Sequence, residues 1–235
     1  MVTVCCADSR VLGNQLWDVT EPGDCFSVRN VGNRVIQRPD PRAEPVVSGD
    51  VLYPLVETET ETAVVVGHTG CGAVTATYDA VCDDDASDTI RGDDASDAIR
   101  GDDTTRDTDD ERTGTESLET DDPPRNTPPG IDHCISLLRP AVSAGLDELP
   151  ASLDRTETVN RLVERNVDRQ VTTLRESDHV PASVTVAGAV YDFHDAYDGR
   201  RGEAHLINLD GETDPDSLRA ELPALADRIH RLDPP

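Results

Sequence analysis

The sequence predicts an α/β domain, a central and mainly parallel β-sheet flanked by helices. Three observations carry that expectation: short β-branched runs bounded by turn residues, apolar positions recurring at three- and four-residue steps, and alternation of the two along the chain. The apolar runs are 2–5 (VTVC), 25–28 (CFSV), 63–66 (AVVV), 184–190 (VTVAGAV) and 204–209 (AHLINL). Runs of this length suit strands buried on both faces of a parallel sheet. Neighbouring Cys5 and Cys6 then point to opposite faces, because side chains alternate along a strand. Residues 48–57 read as a helix, although Pro54 lacks a backbone N–H and is expected to kink or end it. Val159, Leu162, Val163, Val167, Val171 and Leu174 mark one face of a long helix. Leu218, Leu222, Leu225, Ala226, Ile229 and Leu232 mark a final one, free to pack on the sheet or on a partner.

One segment does not fit this alternation. Residues 83–129 open with a tandem nine-residue repeat, DDASDTIRG at 84–92 and DDASDAIRG at 93–101, and carry 17 acidic residues against five arginines. A stretch so charged and so poor in apolar groups cannot offset the entropy of ordering, so it is expected to be an acidic, disordered insertion. The organisation is therefore one domain built from residues 1–82 and 130–235, interrupted by the insertion at 83–129.

Of 235 residues, 48 are Asp or Glu and 21 are cationic, and all 21 cations are arginine, for a net charge of −27. Nucleic-acid partners, whose affinity comes from cations neutralising phosphates, are excluded by that balance, as is an anionic membrane surface. A surface of carboxylates repels itself unless counterions are abundant, so the composition reads as that of a salt-adapted protein. No apolar run reaches the roughly 20 residues of a membrane span, and the first ten residues lack the pattern of a secretory signal. A cytoplasmic location is expected, with the six cysteines as reduced thiols or metal ligands.

Cys6, Asp8 and Arg10 follow the first predicted strand in CADSR, and His68 and Cys71 follow the third in GHTGCGAV. In an open parallel sheet, ligands bind at the carboxyl ends of the strands, so both motifs are delivered to one edge. Two thiolates and an imidazole form a good zinc set and leave a fourth position free. Gly67, Gly70 and Gly72 are expected to permit the tight backbone around His68 and Cys71. The same three ligands would also serve a structural zinc site, and Asp8 with Arg10 could be a simple salt bridge. No P-loop and no G-x-S-x-G motif is present.

Taken with PGDCFSVRNVGN at 22–33, NVDRQVTTL at 166–174 and VTVAGAVYD at 184–192, these motifs resemble those of the β-class carbonic anhydrases. The resemblance covers nearly the whole chain outside the insertion. It implies reversible hydration of CO2 to bicarbonate on one zinc ion per subunit, with Cys6, His68 and Cys71 as metal ligands and a homodimer or higher homo-oligomer as the working form. Asp8, bridged to Arg10, would accept the proton of the attacking oxygen, or would swing onto the metal and close the site. Hydrolysis of CS2 or COS on the same scaffold, and zinc binding without catalysis, are the alternatives.

Family members with the closed form carry a tryptophan three residues before the first cysteine ligand. Here that position is Thr3, with Trp17, the one tryptophan, elsewhere in the sequence. An open site is therefore expected, although Arg29 and Tyr191 match other positions of that pocket. The family also carries some thirty or more residues ahead of the first cysteine motif, which complete the dimer and the substrate pocket. Five precede Cys6 here, so either the start lies upstream or part of that pocket is missing. Cys5, Cys25, Cys82 and Cys134 lie in no ligand motif. His133, His179, His194 and His205 could pass protons, but nothing in the sequence selects one.

Overall fold

The expected alternation is present in the computed structural model, which describes residues 1–19, 21–40, 42–93, 127–197 and 199–232, and the side chains of all of these except 85–93. The strands are β1 (Val2–Cys6), β2 (Phe26–Asn30), β3 (Ile36–Gln37), β4 (Val46–Val47), β5 (Thr62–His68), β6 (Thr185–Tyr191) and β7 (Ala204–Leu209). The helices are α1 (Gly13–Leu16), α2 (Gly49–Glu57), α3 (Gly72–Asp93), α4 (Pro129–Glu148), α5 (Arg155–Arg175) and α6 (Pro215–Glu221), followed by a 3₁₀ turn at Pro223–Arg228. The main sheet runs β2-β1-β5-β6-β7. Its first four strands are mutually parallel and β7 closes one edge antiparallel to β6, while β3 and β4 form a separate small ladder.

Alternation along the strands divides the apolar side chains between two faces. Val2, Val4 and Cys6 lie with Ala63, Val65 and Val186 in the main core, which α2, α3, α4 and α5 cover. Cys5 lies with Val11, Val64 and Val66 in a smaller cluster, flanked by Leu16, Trp17 and Phe193. Part of that second face stays open as a groove of about 690 Å³, whose lining includes Arg10, Trp17, Val64, Ala189 and Leu206.

The long helix α5 is the scaffold's spine. Its start is fixed by a capping box, in which Asp154 accepts from the backbone of Glu157 and the Glu157 side chain accepts from Asp154 N–H. Val163 and Val167 approach β5 so closely that a Cβ on Gly67 would lie 2.8 Å from Val167 and 2.9 Å from Val163, so only glycine fits there. A buried polar stripe on the same helix ties down the loop after β2. Gln170 accepts from Val35 N–H at 2.8 Å, and Asn166 donates to Gly32 carbonyl at 3.2 Å.

Three expectations are corrected. Pro54 does not end α2, which runs one turn further to Glu57. The last helix is not continuous: it stops at Glu221 because Leu222, restricted by the proline after it, leaves the helical region (φ −120°, ψ 64°). The remaining turns are 3₁₀, Leu225 is exposed, and Ile229 is buried beside Leu206. Finally, α3 continues to Asp93, so the first repeat copy, at the start of the expected insertion, is helical rather than disordered. At the other end, Pro129 stands at the first turn of α4, a position where its missing N–H costs nothing. The remainder of the expected insertion, 94–126, lies outside the described residues.

Candidate metal centre

Cys6 ends β1 and His68 ends β5, the strand paired beside it, so the sheet brings them to one edge without help from any loop. Cys71 follows three residues later, immediately before α3. The turn between requires Gly70 to adopt φ +63°, and a Cβ there would lie 2.5 Å from the ring of His194, so both conformation and space demand glycine. Gly72, by contrast, has no positive φ and nothing within 4 Å of its Cβ position, so the tight backbone expected there does not demand glycine.

The potential ligand atoms of Cys6, His68 and Cys71 all lie within 4.8 Å of one another, and all three residues are buried. The two sulfurs are 3.8 Å apart. Two thiolates each bonded at about 2.3 Å to one tetrahedral ion would stand ~3.8 Å apart, so the spacing fits zinc. The imidazole fits too. Its Nδ1 faces the carbonyl oxygen of Thr69 at 3.1 Å, which can only accept, so Nδ1 carries the proton and Nε2 presents a lone pair. That Nε2 is buried and has no hydrogen-bond partner among the described residues. A buried, unpaired ring nitrogen beside two facing sulfurs is a donor set arranged for a cation rather than for a hydrogen-bond network.

The thiols are also prepared electrostatically. The hydrogen bond from Cys71 holds the Cys6 sulfur well below the usual thiol range despite its burial, helped by the His68 side chain beside it and then by the backbone N–H groups of Gly32 and Asp8. Cys71, which keeps the shared proton and is buried, is pushed upward, while the N–H groups of Val74 and Ala73 at the start of α3 oppose that rise. Two sulfurs so close cannot both be anionic without a positive charge between them.

Asp8 and Arg10 stand beside this cluster. Arg10 Nε donates to Asp8 Oδ1 at 2.9 Å and its terminal nitrogen donates to Oδ2 at 2.8 Å, a two-pronged pair, while the Arg10 backbone N–H also binds Oδ1. These bonds hold the Asp8 carboxyl well below the ordinary carboxylate range. Oδ2 lies 3.9 Å from His68 Nε2, so the carboxylate faces the ligand cluster. Arg29 donates to the Asp8 backbone carbonyl at 2.7 Å and fixes the loop that carries it.

Several residues around the centre carry no motif of their own. Asn160 of α5 accepts from Gly70 N–H at 2.9 Å. The Thr69 hydroxyl donates to buried Asp192 at 3.1 Å and accepts from Phe193 N–H at 2.8 Å. With that proton committed, His194 Nδ1, 3.1 Å away, must be the donor in its contact with Thr69. Burial opposes ionisation of Asp192, but N–H groups of Ala196, Tyr197 and His194 outweigh it and lower its pKa. Asp192 fell inside a motif as the last residue of the 184–192 match, and Thr69 inside GHTGCGAV without a role of its own; Asn160, Phe193 and the contacts of all four become visible once β5, β6 and α5 are assembled. The remaining expectations sort by position. Trp17, remote from position 3 in sequence, reaches it in space, with its indole nitrogen 3.5 Å from Thr3 Oγ1. Tyr191 pairs with His68 across β5 and β6 and sets its ring edge-on to Phe193 at 4.9 Å. His205 is buried behind Tyr197 on β7.

The carbonic anhydrase family model matches residues 1–117, the span that holds Cys6, Asp8, Arg10, His68 and Cys71. Among solved structures, the chain is similar to a Coccomyxa β-carbonic anhydrase in complex with acetazolamide (22% identity, 93% of this chain and 76% of that one, TM-score 0.57). It is similar also to the β-carbonic anhydrase CafA of Aspergillus fumigatus (23%, 98% and 83%, 0.56). A third is one of two tetrameric β-carbonic anhydrases from Sordaria macrospora (18%, 88% and 79%, 0.55). The fold is thus that of the β-carbonic anhydrases. The family match over residues 1–117 and this fold together support carbonic anhydrase as the class of enzyme.

Proposed function

We propose that this chain catalyses reversible hydration of CO2 to bicarbonate and a proton, on one zinc ion per subunit held by Cys6, His68 and Cys71. The observation that carries the reading is the buried trio of ligand atoms within 4.8 Å, with the Asp8 carboxylate aimed at it from 3.9 Å. When bound, zinc supplies the Lewis acidity that makes water a nucleophile near neutral pH. Asp8 accepts a hydrogen bond from the attacking oxygen and so turns the lone pair of that oxygen towards the carbon of CO2. Arg10 occupies both Asp8 oxygens and keeps the group ionised, so Asp8 acts as an acceptor that orients the attacking oxygen without itself taking the proton.

The open groove beside Trp17 and Leu206 is the kind of apolar surface that a second copy would cover, and the Sordaria relative is described as tetrameric, so we assign a homo-oligomer. Among the described residues no helix is long and apolar enough to cross a membrane. The acidity and absence of lysine support work in a salt-rich cytoplasm. The test is exchange of ¹⁸O between CO2 and water by the full chain, purified in molar salt with stoichiometric zinc. Activity is expected in the wild type and absent in C71S. Exchange that persists in C71S with zinc still bound would sink the ligand assignment, and COS or CS2 turnover without CO2 exchange would replace the substrate.

A further inference from the structure

The Asp8 and Arg10 pair poses a physical problem. The Arg10 side chain is 49% exposed and that of Asp8 21%, and exposed ion pairs rarely hold one geometry, because water screens the charges and a long side chain gains entropy by leaving. An acceptor that must point at one place needs its partner anchored by something else. The anchor is visible in Phe193. The guanidinium carbon of Arg10 sits 4.1 Å above the centre of the Phe193 ring, in stacking range. The same ring meets His68 edge-on at 5.3 Å and Tyr191 at 4.9 Å.

Phe193 is itself fixed. It lies two residues past the end of β6, its N–H binds the Thr69 hydroxyl next to His68, and its side chain packs on the cluster of Cys5, Val11, Val64 and Val66. One aromatic ring therefore touches a metal-ligand candidate on one side and the clamp of the acceptor on another.

We propose that Phe193 is a positioning residue, whose ring holds the Arg10 guanidinium flat so that both Asp8 oxygens stay engaged and Oδ2 keeps facing the ligand cluster. This deepens the reading of Asp8 as acceptor and rests on it. Phe193 does not touch the reacting atoms, so its loss should lower turnover by letting the competent arrangement lapse part of the time.

The test replaces the ring and reads Arg10 directly. In the zinc-loaded full chain, F193L should lower kcat by about 5- to 10-fold with KM changed less than twofold, and zinc content should stay near one. By NMR, solvent exchange of the Arg10 Nε–H, which binds Asp8 Oδ1, should accelerate several-fold. F193W, which restores a ring face, should recover most of both. If F193L does not fold, F193M keeps apolar volume without a ring and gives the same two readouts. Because Phe193 acts through Arg10, adding F193L to R10K should cost nothing further. Losses that multiply in the double variant, or wild-type exchange and kcat in F193L, overturn the proposal. A wild type without CO2 exchange would instead overturn the reading of Asp8, while Nε–H exchange unaltered by F193L would still count separately against the anchor.

Discussion

His205 offers a test of the fold's electrostatics that is independent of the metal centre. It lies on β7, fully buried, stacked on Tyr197 at 4.4 Å and edge-on to His230 at 5.3 Å, and neither ring nitrogen has a hydrogen-bond partner among the described residues. Burial pushes its pKa down to about 4, and the positive neighbours His230 and Arg228 act in the same direction, against Asp192 and Glu203. Tyr197, which faces it, is bound to buried Glu164 at 2.6 Å and stays protonated. The folded protein therefore holds His205 neutral, whereas the unfolded chain takes up the proton near pH 6.5. Stability is complete above that value and declines as pH falls towards 4. Linkage between these two values gives a loss of about 2.5 kcal/mol between pH 7.5 and 4.5 from this residue. Asp8, Asp192 and Asp214, held below the usual range, begin to lose their contributions only near pH 4. The perturbation is H205F, which keeps the stacking and removes the titration. Urea unfolding at fixed molar salt and pH 7.5, 6.0 and 4.5, followed by circular dichroism, should show the wild type losing ~2.5 kcal/mol more than H205F across the range. Acid effects on the metal ligands cancel in that difference. Parallel pH dependence in the two proteins would refute the argument.

Four further outcomes are expected. D8N should retain zinc but lose about 100-fold in kcat/KM for CO2, since an amide cannot accept from both Arg10 and the attacking oxygen; a loss under threefold in ¹⁸O exchange would remove Asp8 from the mechanism. Removing metal with a chelator should lower the thermal midpoint by at least several degrees, because Cys6 and Cys71, 3.8 Å apart, lose their shared counter-charge; readdition of zinc should restore it. G70A should cost about 1–3 kcal/mol in urea unfolding, through its positive φ and the His194 ring, whereas G72A should stay within about 0.5 kcal/mol. Raising KCl from 0.1 to 1 M should stabilise the chain against urea, as its net charge of −27 is screened; a midpoint indifferent to salt would contradict the salt-adapted reading.

What was legible in the sequence was whatever depends on neighbours along the chain. The five strands of the main sheet were found within two residues because short apolar runs bounded by turn residues mark them, although β2, at the sheet edge, is largely exposed where burial was expected, and the ligand trio because each motif sits at a strand end. The long helix α5 showed itself by its apolar spacing. The misreadings have a common cause. The 218–232 pattern keeps helical periodicity across Pro223, so period alone could not show that Leu222 leaves the helix. In the same way, charge density argued against order at 84–93, whereas α3 carries the chain to Asp93. The roles of Asn160, Thr69 and Phe193 were invisible for a different reason. Asn160 stands 90 positions from Gly70, and Phe193 124 positions from Thr69. Their roles exist only once the parallel sheet sets β5 beside β6 and lays α5 across both.

The absence of lysine, read first as a property of the solvent, acquires a chemical meaning at the clamped carboxylates. Arg10 uses two different nitrogens on the two oxygens of Asp8, and Arg231, almost fully buried, does the same to Asp168 while also donating to Ile207 carbonyl at 2.8 Å. An ammonium is a single point of charge and could satisfy one oxygen at a time, leaving the other free to rotate. At Asp168 that would cost stability. At Asp8 it would cost direction, because the oxygen that faces His68 is held there by the second prong. Screening by salt weakens the Coulombic part of such a pair, but it leaves largely intact the planar geometry of the fork and its stacking on Phe193, since contact packing falls outside ionic screening. An arginine clamp seated on an aromatic ring is thus a way to orient a carboxylate that holds even at high ionic strength.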